Sequence, residues 1–173
     1  VLVMGSGSMG LMAVLAARAA GAGEVIATYR HDHQGRAGLA TGASRVVKAE
    51  EVAGLEKEGI DLVVETVGGG APTLTQALGL VRPGGRISVL GLFTQPVQVN
   101  ALALMLKEAH LAGGITYCRP GQHSDFQVAL GILQAAPERA RALISHRFPL
   151  EEAAQAFATA ADKSTGSLKV HIH

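Results

Sequence analysis

The sequence predicts an α/β fold, a doubly wound parallel sheet in the strand order 3-2-1-4-5-6 followed by a C-terminal extension of helices and a strand. Three observations predict it. The chain opens on an apolar strand, Val1-L-V-M, that runs through Gly5-x-Gly7-x-x-Gly10 into the Ala-rich helical run Leu11 to Ala20. Short β-branched runs then alternate with helical stretches, which demands parallel strands joined by right-handed crossovers, with helices on both faces. At 173 residues and 48% hydrophobic content, the chain can bury one full core with an appendage rather than two independent domains.

Each glycine of the opening turn has its own task. Gly5 permits the sharp exit from the strand, Gly7 lets backbone approach a pyrophosphate, and Gly10 lets the helix pack close to the sheet. The N–H groups and positive dipole end of the helix then face an anion. In a chain with 22 glycines the motif alone says little. Its position between a strand and a helix is what points to a Rossmann dinucleotide site.

After the first helix, Gly21 and Gly23 bracket a turn, and Glu24 to Tyr29 has the content of a buried second strand. Asp32 is placed to cap the next helix and Gly42 to close it. Val46-Val47 is a short third strand, and the charged stretch Glu50 to Glu58 a solvated surface helix or turn. Ile60 to Glu65 is the fourth strand, Gly68-Gly69-Gly70 a turn, and Pro72 the first position of a helix that runs to Leu80. Arg82-Pro83-Gly84-Gly85 is a turn signal. Ile87 to Leu92 is the fifth strand and Leu111 to Tyr117 the sixth. Beyond Cys118 the pattern changes: Asp125 to Ala135 and Leu150 to Ala161 read as helices and Leu168 to Ile172 as a strand. The division expected is therefore 1–118 for the nucleotide-binding domain and 119–173 for the extension, with no internal repeat or low-complexity linker.

Composition excludes several classes. A net charge of +1 without a basic run gives no footprint for nucleic acid, and 3% aromatics supply no stacking platform. The lone Cys118 excludes an intrachain disulfide and a cysteine-rich zinc site; it is expected as a small buried hydrophobe. No run is long enough for a membrane helix and no signal peptide is present, so the expectation is a soluble cytoplasmic protein. Val1 stands at what reads as a central strand, so the chain is expected to be a piece of a longer polypeptide.

The sequence resembles the coenzyme-binding half of zinc-dependent medium-chain dehydrogenases, in particular the sorbitol, threonine and butanediol dehydrogenase branch. The resemblance rests on Val1-L-V-M-G-S-G-S-M-Gly10, Gly42-Ala43, Asp61-L-V-V-E-T-V-Gly68, Arg82-P-G-G-R-I-S-V-L-Gly91, Lys107-Glu108 and Tyr117-Cys118. It continues through His146-R-F-P-L-E-E-A-x-x-A-Phe157 and Gly166-S-L-K-Val170, covering essentially the whole chain. It implies that backbone from Gly7 through Ser8 and Met9 to Gly10 binds the pyrophosphate, behind the turn residue Gly5. Tyr29 and Arg30 would surround the adenosine ribose, with Thr66, Val67 and Gly68 beside the adenine and its ribose. Leu90, Gly91 and Leu92 would meet the nicotinamide, approached also by Ile115 and Thr116, and Lys169 would reach toward the pyrophosphate. Core packing is the alternative for Val67, Leu90 and Leu92. A surface lysine is the alternative for Lys169, on a strand whose Leu168, Val170 and Ile172 point inward.

In this family the catalytic zinc ligands and proton relay come largely from a preceding GroES-like domain, whose motifs are not in this sequence. Zinc is therefore expected only in that domain, and no catalytic or metal-ligating residue is assigned here. His31-Asp32-His33 and His171-x-His173 are expected as exposed surface histidines, and His146 in a structural role at the domain junction. The resemblance also implies a small alcohol or ketone substrate and a homo-oligomer that extends the sheet at the sixth strand.

The choice between dinucleotides turns on the end of the second strand, about 20 residues past the glycines, where an acidic residue accepts from the ribose 2′-OH of NAD. Here Tyr29 and Arg30 hold that place. A guanidinium pairs with a 2′-phosphate, so NADP(H) is favoured over NAD(H). Two other classes share the glycine turn. S-adenosylmethionine-dependent methyltransferases normally keep the acidic residue that is lacking here, and a non-catalytic nucleotide-sensing or assembly module is the third reading.

Overall fold

A computed structural model describes residues 1–115 and 122–173. In the first part, β1 (Leu2–Met4), α1 (Ser8–Ala19), β2 (Ile26–Tyr29), α2 (Asp32–Thr41), β3 (Arg45–Lys48), a 3-10 segment Ala49–Leu55 and β4 (Ile60–Glu65) succeed one another. They are followed by α3 (Thr73–Leu80), β5 (Val81–Val89), α4 (Ala101–Leu106) and β6 (His110–Gly113). The six strands form one parallel sheet in the order β3-β2-β1-β4-β5-β6. This is the doubly wound order expected from the sequence.

Strand alternation decides which face each side chain serves. Leu2, Met4, Ile26, Val63 and Ile87 join Leu74 and Leu78 of α3, Val52 and Leu55 of the 3-10 segment, and Ala103 and Leu104 of α4 on one face. Val3, Ala27 and Val64 join Val14 and Ala17 of α1 on the other, where Gly38 of α2 is close enough that an added Cβ would stand 3.0 Å from Val46. Register across β1 fixes this division: Leu2 pairs with Ile26 and Val63, and Val3 with Ala27 and Val64.

The extension comprises α5 (Asp125–Ala135), α6 (Pro137–Arg141), β7 (Ile144–Phe148), a 3-10 turn at Leu150–Glu152, α7 (Ala153–Ala161), a second 3-10 turn at Lys163–Thr165 and β8 (Lys169–Ile172). β7 and β8 form their own parallel pair. The extension is tied to the first part by Leu143, buried with Leu11 of α1 and Ala37 of α2, with Leu168 against them. The Ser8 hydroxyl also donates to the Leu168 carbonyl at 2.9 Å.

Several elements differ from the sequence reading. Asp32 is the first residue of α2, not its cap; His31 takes that position, and the Gln34 side-chain oxygen accepts from the backbone N–H groups of Arg30 and His31. Pro72 likewise precedes the first helical residue of α3. The Arg82–Gly85 turn signal lies inside β5, where the register jumps from Ile60 opposite Val81 to Leu62 opposite Arg86, so the stretch bulges out of the ladder. Helices α4 and α6 and strand β7 have no counterpart in that reading. β6 ends at Gly113, and Tyr117 and Cys118 lie outside the described residues. His33 is not a free surface histidine, because its Nε2 is buried without a partner, and its ring stacks on His31 with centroids 5.6 Å apart.

Candidate nucleotide-binding site

Gly5 has φ +99°, and a Cβ there would come within 2.9 Å of Val67 and 3.0 Å of the Thr66 hydroxyl. A Cβ on Gly10 would stand 1.7 Å from the Gly5 carbonyl oxygen, so only glycine lets α1 start this close to β1. Gly7 is different: nothing lies within 4 Å of its added Cβ, and the space above it is open. Gly7 is also the N-cap of α1, with no side-chain cap and no acidic residue in the first turn. The first N–H groups of the helix, from Ser8 and Met9 onward, thus lack an intrahelical partner and face open space, which fits an anion.

Neighbouring strands hold the turn. The Thr28 hydroxyl accepts from Gly5 N–H at 2.9 Å, the Ser6 hydroxyl donates to the Thr28 carbonyl at 2.8 Å, and the Thr66 hydroxyl donates to the Met4 carbonyl at 2.8 Å. Beside the turn opens a cleft of about 380 Å³. Gly5, Gly7, Tyr29, Arg30, Thr66 and Val67 all line it, with His31, Gln34, Thr73, Gln76 and Lys163 among the others. Among the described residues no carboxylate lines it, but an adjoining cleft of about 610 Å³, which shares Tyr29, Arg30, Thr73 and Gln76, is lined by Asp32 and Glu50. Arg30 is exposed with no ion pair among the described residues, while the Tyr29 ring lies over Gly35 of α2, at 3.2 Å from a Cβ added there.

Ser8, Met9 and Gly10 form the first turn of α1 just behind the cleft. Gly68, at φ +63°, touches Leu92 backbone: a Cβ there would meet Leu92 N and O at 2.5 Å. The Gly69 N–H donates to the Leu92 carbonyl at 2.8 Å, bringing the ends of β4 and β5 together. Core packing does not describe Val67, Leu90 and Leu92, which are 38%, 36% and 72% exposed. Ile115, just past β6, is 88% exposed, and Thr116 lies outside the described residues. Lys169 is exposed on β8 and does not line the cleft. On that strand the inward alternation stops at Ile172, which is 37% exposed.

Three side chains at the site or beneath it have no assigned part in the sequence reading. Glu65, fully buried at the end of β4, accepts through Oε1 from Val67 N–H, Gly68 N–H and the Thr73 hydroxyl at 2.8, 3.0 and 2.7 Å. Its backbone carbonyl accepts from Leu90 and Gly91 N–H, and a Cβ on Gly91 would fall 2.2 Å from Oε2. Glu65 therefore shapes both the β4 and the β5 ends of the site. A charged residue closing an apolar strand was the available signal, because burial requires partners. The Lys107 ammonium donates to the carbonyls of Leu78, Gly79 and Val81, capping the C-terminus of α3. The third is Lys163. Nearby, desolvation holds the His33 imidazole below its usual range, reinforced by His31, Arg36 and Lys163 and opposed by Asp32.

Among the described residues no three His, Cys, Asp or Glu side chains gather to hold a metal ion, and no helix is long and apolar enough to cross a membrane. His146 pairs its Nδ1 with the Ser145 hydroxyl at 2.9 Å and stacks on Phe148 within β7.

Residues 8–135 match the zinc-binding dehydrogenase family. Among curated relatives, L-threonine 3-dehydrogenase of Bacillus licheniformis is 33% identical over 165 residues, covering 91% of this chain and 46% of the relative. Sorbitol dehydrogenase of Pongo abelii is 29% identical over 168 residues, with 92% and 45% covered. The crystal structure of an alcohol dehydrogenase from Thermotoga maritima superposes with a TM-score of 0.85 at 27% identity, over 99% of this chain and 49% of the other. An uncapped helix over a glycine turn, at the switch point of a 3-2-1-4-5-6 sheet, is the nucleotide-binding architecture of that group: this chain belongs to the zinc-binding dehydrogenase family. It carries the family's nicotinamide-dinucleotide-binding fold and spans about half the length of the relatives it matches.

Proposed function

We propose that the chain is the cofactor platform of an NADP(H)-preferring, zinc-type dehydrogenase acting on a secondary alcohol or polyol and the matching ketone. When bound, the nicotinamide supplies the hydride donor or acceptor. The residues of this chain bind and orient it: N–H groups from Gly7 to Gly10 take the pyrophosphate, with Lys169 approaching from β8 beside the Ser8–Leu168 contact. Tyr29 and Arg30 border the adenosine ribose, and Thr66, Val67 and Gly68 the adenine side. Leu90, Gly91, Leu92, Ile115 and Thr116 form the nicotinamide end. In this reading 1–118 is the nucleotide-binding domain, and 119–173 packs against a GroES-like domain that holds the zinc and the proton relay. Copies associate through the exposed edge strand β6, in the cytoplasm.

The observation that supports the cofactor preference is that Tyr29 and Arg30, and no carboxylate, stand at the end of β2 and line the cleft beside the glycine turn, while Asp32 and Glu50 line only the adjoining cleft. Arg30→Ala should weaken NADPH on the order of 10–100-fold, as expected for a charge-assisted contact of about 1.5–3 kcal/mol, and leave NADH nearly unchanged. Fluorescence titration of both cofactors against both proteins tests this. Equal binding of NADH and NADPH by the parent, or equal losses in the variant, would remove Arg30 as the reader of the phosphate.

A further inference from the structure

The extension delivers a cation into the cleft built by the glycine turn and β2. Lys163 lines the same cavity as Gly5, Gly7, Tyr29, Arg30 and His31, although it comes from the 3-10 turn after α7. That turn is held in place. The Asp162 carboxylate accepts from Ser164 N–H at 2.8 Å, and Gly166 closes the turn at φ +78° beside the His33 ring. Two residues on, the Ser8 hydroxyl ties Leu168 to the start of α1. The Lys163 ammonium rests on the neutral Ala160 carbonyl at 2.8 Å, and among the described residues neither it nor Arg30 has a carboxylate partner.

Two cations without acidic partners, from distant stretches of the chain, thus line one cavity with no acid among its described lining residues; Asp32 and Glu50 line the adjoining cleft, which Arg30 also lines and Lys163 does not. Such a pocket suits a dianionic phosphate monoester: a guanidinium offers paired donors and an ammonium a mobile point charge. We infer that Lys163 is the second cation, with Arg30, for the ribose 2′-phosphate of NADP(H). The extension, and not only the nucleotide-binding sheet, then sets cofactor specificity. This inference rests on the NADP(H) reading given above.

The test titrates the full chain, Lys163→Met and Lys163→Arg with four probes: NADPH, NADH, adenosine 2′,5′-bisphosphate and adenosine 5′-monophosphate. Lys163→Met should weaken NADPH and the bisphosphate about 5–30-fold and the other two by less than about twofold, with NADH binding serving as the check on folding. Lys163→Arg should keep NADPH within about threefold of the parent. An equal loss for all four probes would assign Lys163 to the shared 5′-phosphates or to the fold, and no loss for any would remove it from the site; either overturns the inference. A parent that prefers NADPH, with the preference intact in Lys163→Met, overturns the role of Lys163 alone. A parent that binds NADH as tightly as NADPH overturns the NADP(H) reading itself.

Discussion

Around the ends of β1 and β2, polar groups that shape the cleft find partners within the chain: Gly5 N–H with Thr28, Ser6 with Thr28, Thr66 with Met4, and the N–H groups of Arg30 and His31 with Gln34. Past the ends of β5 and β6 the surface is of another kind. Leu90, Leu92 and Ile115 are apolar and exposed, although the backbone at Leu90 and Leu92 is pinned by Glu65 and Gly69. The turn of the first region is finished by its own residues, with the leading N–H groups of α1 and, among the described residues, the Arg30 guanidinium left open, whereas the second region has a rigid floor and an uncovered apolar face. Clustered exposed apolar residues of this sort belong at a surface that meets a ligand or another protein segment.

The largest expected effect comes from removing the group that joins the β4 and β5 ends, between the two regions. Glu65→Ala leaves two buried donors and one partly buried donor unpaired beside a new void, and should cost about 3 kcal/mol of stability in denaturant unfolding. A loss under about 1 kcal/mol would mean that the β4 and β5 ends hold together without it. The double variant Leu92→Ser with Ile115→Ser should change stability by no more than about 0.5 kcal/mol per site and leave the affinity for adenosine 5′-monophosphate unaltered. Destabilisation of about 2 kcal/mol would show these side chains packed in the core, and the contrast between the two regions would collapse. The smallest effect concerns His33. Its imidazole is held below the ordinary range, so the folded state binds fewer protons than the unfolded one, and stability falls as pH drops through the ordinary histidine value. Melting between pH 7.5 and about 5.5 should show this decline, and His33→Asn should blunt it by a degree or so; an identical slope in the variant would assign the decline to other groups.

The finished region was the more legible in sequence because its geometry is local. Gly5, Gly7 and Gly10 define a turn whose strand and helix flank them directly, and Ile60 to Glu65 is the observed fourth strand. What stayed hidden depends on distant pairing. Nothing near Lys163 announces that it lines the cleft with Tyr29 and Arg30, and Glu65 becomes intelligible only once Thr73 and the Val67–Gly68 backbone close over it. Ile144–Phe148 has a serine, a histidine and an arginine in succession, and it becomes a strand by pairing with β8. Arg82–Gly85 looks like a turn in the sequence because proline and paired glycines mark a turn and a bulge alike.

That bulge has a consequence for how the chain can change length. The stretch Arg82–Gly85 has only Asp61 opposite it, while from Leu62 opposite Arg86 to Glu65 opposite Val89 the ladder is continuous. The irregularity lies at the start of β5, held by the Arg82–Asp61 pair and by the Gly84 N–H bond to the Lys107 carbonyl, and not at its end. A change of length among these residues should therefore leave Leu90 to Leu92 in place, because the continuous ladder that positions them lies downstream of it.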